Sequence, residues 1–142
     1  MKIALGCDHG GFGLKATVLA LLRELGHTVE DCGVMAGETA DYPNIAADVC
    51  SRVASGAAER GILLCGTGIG VAIAANRNPV IRAALCSESF SARMSREHND
   101  ANVLCLGGRT LGPGLAEEIV RIWLSTQFVG GRHVQRIALL QE

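Results

Sequence analysis

Ile62-Leu63-Leu64-Cys65-Gly66-Thr67-Gly68-Ile69-Gly70 is the stretch on which the fold turns. Residues 62–65 are continuously apolar, as in a strand buried on both faces near the centre of a sheet. Three glycines in the next five residues make a tight turn, and a helix is expected from Gly70 to Asn76. The stretch therefore reads as a strand, a glycine-rich turn and a helix.

The same alternation extends in both directions. Upstream, Ile3–Cys7 reads as strand one and Thr28–Cys32 as strand two. Between them, Leu14, Val18, Leu21, Leu22 and Leu25 recur at helical spacing over 13–25, and Gly26 stops the helix. Asp41-Tyr42-Pro43 opens another helix that runs to Ser55, with Pro in its first turn. Downstream come strand four over 81–86, a helix over 89–98, strand five over 103–106, a helix over 114–126 and a helical tail from Gly131. Five β-α units in series predict one α/β domain spanning residues 1–142. It is expected to be a Rossmann-like three-layer α/β/α sandwich on a five-stranded parallel sheet, with a C-terminal helical tail.

Bulk properties narrow the functional classes. Of the 142 residues, 49% are hydrophobic and 4% aromatic, so the core must be built from Ala, Val, Ile and Leu. A net charge of −1 lacks the basic excess that nucleic-acid or membrane-surface binding needs. No apolar run approaches the ~18 residues of a membrane span, and the short apolar N-terminal run meets Asp8 too early for a signal peptide. The six cysteines form no C-x-x-C pair, which disfavours zinc and thioredoxin-type chemistry. Without a secretion signal they are expected to be free thiols in a reducing cytoplasm. Cys7, Cys32, Cys86 and Cys105 lie in or at the end of apolar runs and read as small hydrophobes.

Ligands of parallel sheets bind beyond the carboxyl ends of the strands. Each unusual segment of this sequence falls there. Asp8-His9-Gly10-Gly11 follows strand one. Its acid and imidazole suit ligand binding, and Asp8 equally suits a plain N-cap over a tight turn. After strand three, Gly66, Thr67, Gly68, Ile69 and Gly70 let backbone amides face an anion or oxyanion. The spacing G-x-G-x-G is not a dinucleotide fingerprint, and no Walker lysine is present. Val71 stands where a phosphatase loop headed by Cys65 would need Arg. Cys65 ends the central strand and faces a helix N-terminus, a setting that makes a thiolate available as base or nucleophile.

Before strand five, His98 is an imidazole suited to acid–base work near neutral pH, or a surface loop residue. Arg132 and Arg136 are four apart and share one helix face. With Arg109 they suit a phosphate, and the terminal pair equally suits a solvated face.

In combination, these segments resemble the type-B ribose-5-phosphate isomerases and the related galactose- and allose-6-phosphate isomerases. The matching pieces include residues 6–11, 41–43, 65–70, 74–76, 81–84, 98–102, 107–109 and 130–133, in order along the whole chain. The resemblance implies an aldose–ketose isomerase of carbohydrate and pentose phosphate metabolism, with no metal and no cofactor. Ribose 5-phosphate and ribulose 5-phosphate are the expected pair. A six-carbon sugar phosphate is the alternative, and a non-catalytic sugar-phosphate sensor is a further one. It implies that Cys65 moves a proton between C1 and C2, that His98 opens the sugar ring, and that Thr67 assists. Residues Gly66, Thr67, Gly68, Ile69 and Gly70 would hold the enediolate. Asp8, His9 and Asn99 would bind the sugar, while Arg109, Arg132 and Arg136, helped by His9, would bind the phosphate. It further implies a homodimer, sometimes paired into a tetramer, in which the neighbouring subunit supplies His98, Asn99 and the arginines. Val71 and Ala72 depart from the Met and Ser common in relatives, beside the anion loop, where they are expected to affect substrate size.

Overall fold

The computed structural model describes residues 1–141. The elements run β1 (Lys2–Cys7), α1 (Phe12–Glu24), β2 (Thr28–Asp31), α2 (Tyr42–Ala54), β3 (Arg60–Cys65) and α3 (Ile69–Ala75). They continue with β4 (Ala83–Leu85), α4 (Ser89–Glu97), β5 (Val103–Gly107), α5 (Pro113–Ser125) and α6 (Arg132–Leu139). Pro43 and Pro113 sit in the first turns of α2 and α5, where a missing N–H costs no hydrogen bond. Every strand pairing is parallel, and the order is β2-β1-β3-β5-β4. The chain is one domain with helices on both faces of a five-stranded sheet.

Strand residues alternate between two cores. Ile3, Leu5, Ile62, Leu64, Leu104 and Leu106 face one side, where they cluster with residues of α1, α4 and α5, including the fully buried Trp123. Ala4, Leu63, Cys65, Val103 and Cys105 face the other, clustered with Ala46, Val49 and Cys50 of α2 and Val71 and Ala75 of α3. β1, β3 and β5 are thus covered on both faces, which is why they read as unbroken apolar runs. Burying each Leu, Ile or Val contributes about 1.5–3 kcal/mol.

Strand four is shorter than the apolar run over 81–86 predicts. The side chain of Asn102 accepts the Arg82 N–H at 2.8 Å, so a side-chain amide replaces the ladder bond there. The Asn76 side chain bonds both the N–H and the carbonyl of Ala83, at 2.8 and 3.0 Å, on this short edge strand.

All six cysteines are free. Burial pushes the thiols of Cys32, Cys50 and Cys86 up to about 11, and that of Cys105 well above its ordinary value, so these four stay protonated and inert at neutral pH. Among the described residues, no helix is long and apolar enough to cross a membrane.

β1 pairs with β2 on one side and β3 on the other, so the winding reverses between β1 and β3. That is the switch point at which a parallel sheet opens a crevice. Asp8 leaves β1 there, and Cys65 ends β3 beside it.

Candidate active site

The loops after β1, β3 and β5 lie backbone against backbone. Asp8 N–H donates to the Leu64 carbonyl at 3.2 Å, Gly108 N–H to that of Cys65 at 2.7 Å, and Arg109 N–H to that of Gly66 at 3.0 Å. A Cβ on Gly10 would stand 2.9 Å from the Gly66 nitrogen, so only glycine lets these two loops meet. The site floor is main chain rather than side chain.

Cys65 sits in that floor, only 6% exposed. Gly68 adopts φ +81°, a left-handed conformation natural to glycine, and its N–H donates to Cys65 Sγ at 3.1 Å. The Thr67 hydroxyl accepts the Ile69 N–H at 3.2 Å, which fixes the turn. The amides of Gly66, Thr67 and Gly70 have no acceptor among the described residues, consistent with the unpaired donors at a helix start. A sulfur held by one amide among further free amides can exchange a proton beside a developing oxyanion.

Asp8 is buried, and its Oδ1 accepts the N–H groups of Gly10 and Gly11 at 2.9 and 3.1 Å. The N-cap of α1 is Gly11, so Asp8 shapes the turn instead of capping the helix. His9 is exposed next to it. Arg109 reaches back over the same floor: its Nη1 lies 3.5 Å from where a Gly66 Cβ would stand. The three arginines therefore do not form one group within the chain, because Arg109 stays with its own Cys65 loop.

The second group lies elsewhere. His98 caps the C-terminus of α4, and its ring stacks on that of His133 at 4.3 Å and 14°. A cavity of about 310 Å³ is lined by His98, Asn99, His133, Arg136, Ile137 and Leu140. Arg132 and Arg136 both lie on α6, one turn apart as their spacing requires. Desolvation, then the charges of His98, Arg132 and Arg136, hold His133 below the ordinary imidazole range. A neighbouring cavity of about 380 Å³ also takes in Asn99, and Cys65 lines neither.

His133 and Tyr42 gained no role from the sequence. The stacking partner of His98 comes from α6, and the segment leading into that helix meets the end of α4, where Val129 N–H donates to the Glu97 carbonyl at 3.1 Å. Tyr42, the only tyrosine, lays its ring 2.7 Å from the Cβ position of Gly70. Its place at the start of α2, just after the second β-α crossing, was the available signal. Val71 is fully buried in the core beneath α3, so it does not face the loop as its neighbourhood in sequence suggests.

The model of the Ribose/Galactose Isomerase family matches residues 3–140. The chain belongs to the ribose/galactose isomerase family. It is similar to ribose-5-phosphate isomerase B of Escherichia coli, at 52% identity over 96% of this chain and 91% of that one. It is also similar to D-erythrulose-4-phosphate isomerase of Pectobacterium atrosepticum, at 41% over 96% and 91%. Among solved structures, ribose-5-phosphate isomerase B of Clostridium thermocellum superposes with a TM-score of 0.97 at 50% identity, covering 99% of this chain and 95% of that one. The fold is thus that of type-B ribose-5-phosphate isomerases, and the chain is an aldose–ketose isomerase.

Proposed function

We propose that this isomerase interconverts ribose 5-phosphate and ribulose 5-phosphate through an enediolate, with Cys65 as the base. The observation that carries the reading is Cys65 Sγ, held at 3.1 Å by the Gly68 amide among the unpaired amides of its turn. In the forward direction the thiolate takes the C2 proton of the open aldose. Negative charge then moves onto the carbonyl oxygen, and the unpaired amides of Gly66, Thr67 and Gly70 stabilise it. The O2 hydroxyl proton passes to O1, and return of the carbon-bound proton to C1 then gives the ketose. Fixed amide donors need no reorganisation, and removing one such donor typically costs about 10²–10³ in rate.

His98 is the acid that gives a proton to the ring oxygen as the furanose C1–O bond opens, and Thr67 assists at the turn. Asp8, His9 and Asn99 bind the sugar. Arg109, Arg132 and Arg136 bind the phosphate, whose interactions position the reacting carbons. Ribose 5-phosphate is favoured over a four-carbon substrate by the 52% identity to the Escherichia coli enzyme, against 41% to the D-erythrulose-4-phosphate isomerase.

The site is completed by a second copy of the chain. His98, Asn99 and Arg136 line a cavity that excludes Cys65, and α6 buries none of its own residues. Val134, Leu139 and Leu140 are 56%, 59% and 71% exposed on or just after that helix. A homodimer covers them and carries His98, Asn99, Arg132 and Arg136 to the partner's Cys65.

A substrate panel of four-, five- and six-carbon aldose phosphates tests the assignment, with the highest kcat/KM expected for ribose 5-phosphate. Cys65→Ala should lose at least about 10²-fold in kcat, and retention of more than about a tenth refutes the base. Mixing inactive Cys65→Ala and His98→Ala chains should restore roughly a quarter of wild-type activity by random pairing in a two-fold dimer. No recovery would place both residues in one chain's site.

A further inference from the structure

Asp100 is the only described residue other than glycine with positive φ, at 45°. It follows His98 and Asn99 directly, and two arginines from separate parts of the chain hold it. Its Oδ1 accepts from Arg96 Nη1 at 2.9 Å, and its Oδ2 lies 3.5 Å from Arg82 Nη2. Arg82 also takes the main chain: Nε donates to the Asn99 carbonyl at 2.9 Å, and Nη2 to the Asp100 carbonyl at 3.0 Å. Arg96, only 5% exposed, donates to the Ala101 carbonyl at 2.7 Å and to that of Thr126 at 3.3 Å. The carbonyls of residues 99, 100 and 101 are thus all gripped by guanidinium groups.

We infer that Arg82, Arg96 and Asp100 are positioning residues that aim His98 and Asn99 at the sugar. The inference rests on the reading of His98 as the ring-opening acid. The C-terminus of α4 alone does not define where its last side chains point, because the chain leaves the helix at His98. Asp100 makes that exit by turning left-handed, and the paired charges hold it there. A guanidinium fork suits this task because it binds two acceptors at fixed angles. Neither arginine touches the Cys65 loop, so the clamp acts on the acid and not on the base.

The chemistry of the two sugars separates those steps. Ribose 5-phosphate exists as a furanose and must be opened. Ribulose 5-phosphate cannot close one, because the oxygen on C5 that would attack its C2 carbonyl carries the phosphate. Exchange of its C1 proton with solvent needs the bound sugar, the base and the amide turn, and no ring-opening acid.

The experiment measures two rates in the intact enzyme: conversion of ribose 5-phosphate, and uptake of solvent deuterium at C1 of ribulose 5-phosphate. Asp100→Asn keeps a residue that tolerates positive φ and removes the charge pair. Its conversion rate is expected to fall between about tenfold and 10²-fold, the scale of a small misplacement of a reacting group. Deuterium uptake is expected to stay within about threefold of wild type, so the ratio of exchange to conversion rises. Arg82→Lys, which keeps the charge and loses the fork, should shift the ratio the same way and serves if Asp100→Asn fails to fold. His98→Ala is run in parallel. If it raises the ratio and neither clamp variant does, or both rates of the clamp variants fall together, the positioning role is overturned alone. If His98→Ala leaves the ratio unchanged, the ring-opening reading is overturned and this inference goes with it.

Discussion

Replacing Gly68 with alanine tests the link between backbone geometry and chemistry most directly. Gly68 sits at φ +81° and ψ −9°, where an L side chain is disfavoured by about 1–2 kcal/mol. The new Cβ would also stand 2.5 Å from Leu85 Cδ1 and 3.0 Å from the Leu106 carbonyl carbon. The leucine contact is cheap to relieve, because that end of a half-exposed side chain can swing away. The Leu106 contact is main chain of a buried strand and cannot move, so the turn itself must shift. Stability should therefore fall by about 1–2 kcal/mol, or about 2–8 °C in Tm for a chain of this size. Activity should suffer more, since the displaced N–H is the one that holds Cys65 Sγ. A loss of about 10²-fold or more in kcat is expected, with KM for ribose 5-phosphate changed far less. Thermal melts and steady-state kinetics on the same preparation read both quantities. If Tm falls as stated while kcat stays within about threefold, the turn geometry is not coupled to proton transfer. An unchanged Tm would refute the conformational argument itself.

Two further outcomes are expected away from the site. Gly13 lies in the first turn of α1 with open space around its Cβ position, so Gly13→Ala should stabilise the enzyme by about 0.4–1 kcal/mol, visible as a raised Tm at unaltered kcat. Burial, followed by the N-terminal ammonium that meets its Nδ1 at 3.0 Å, holds His27 below the ordinary imidazole value. The folded state therefore favours neutral His27, and the associated stability is present above about pH 6.5 and is lost as the pH falls, since the unfolded chain takes up the proton first. Melts of wild type and His27→Asn from about pH 7 down to about pH 5 should show the variant with the flatter slope, and parallel slopes would contradict the assignment.

The legible parts of this fold are those set by local sequence. The run at 62–65 announced a central strand because both faces of β3 are covered, and the helix ends at Gly26 and Pro43 followed from the chemistry of those residues. Strand four was misjudged at its start because Asn102, twenty residues away, supplies the hydrogen bond that a neighbouring strand would have given. No local pattern encodes a side chain doing the work of a ladder. The order β2-β1-β3-β5-β4 was likewise out of reach, since it depends on which distant strands pair.

In the site, Cys65 and its turn were legible from position alone. Asp8 was identified as a candidate, but its bonds to Gly10 and Gly11 are those of a turn-former. His98 owed its assigned role to the resemblance, since position alone suited a surface loop equally, and the structure adds the His133 ring stacked on it. The stretch 96–100 reads as uniformly polar, yet Arg96 and Asp100 form a structural clamp while His98 and Asn99 face a cavity. Burial and partnership divide them, and neither is written in residue type.

The glycine contact between the first and third loops has a consequence for how such an enzyme could change its substrate. A floor made of interlocked main chain has no side chains to exchange, and widening it at one loop displaces the others. New preferences must therefore enter at the rim, through groups that lean over the floor, such as Tyr42 above Gly70, or through the segment carried on α6. The proposed base and the length of sugar it accepts are in this way inherited from separate parts of the chain, and a lineage could revise the second while leaving the first untouched.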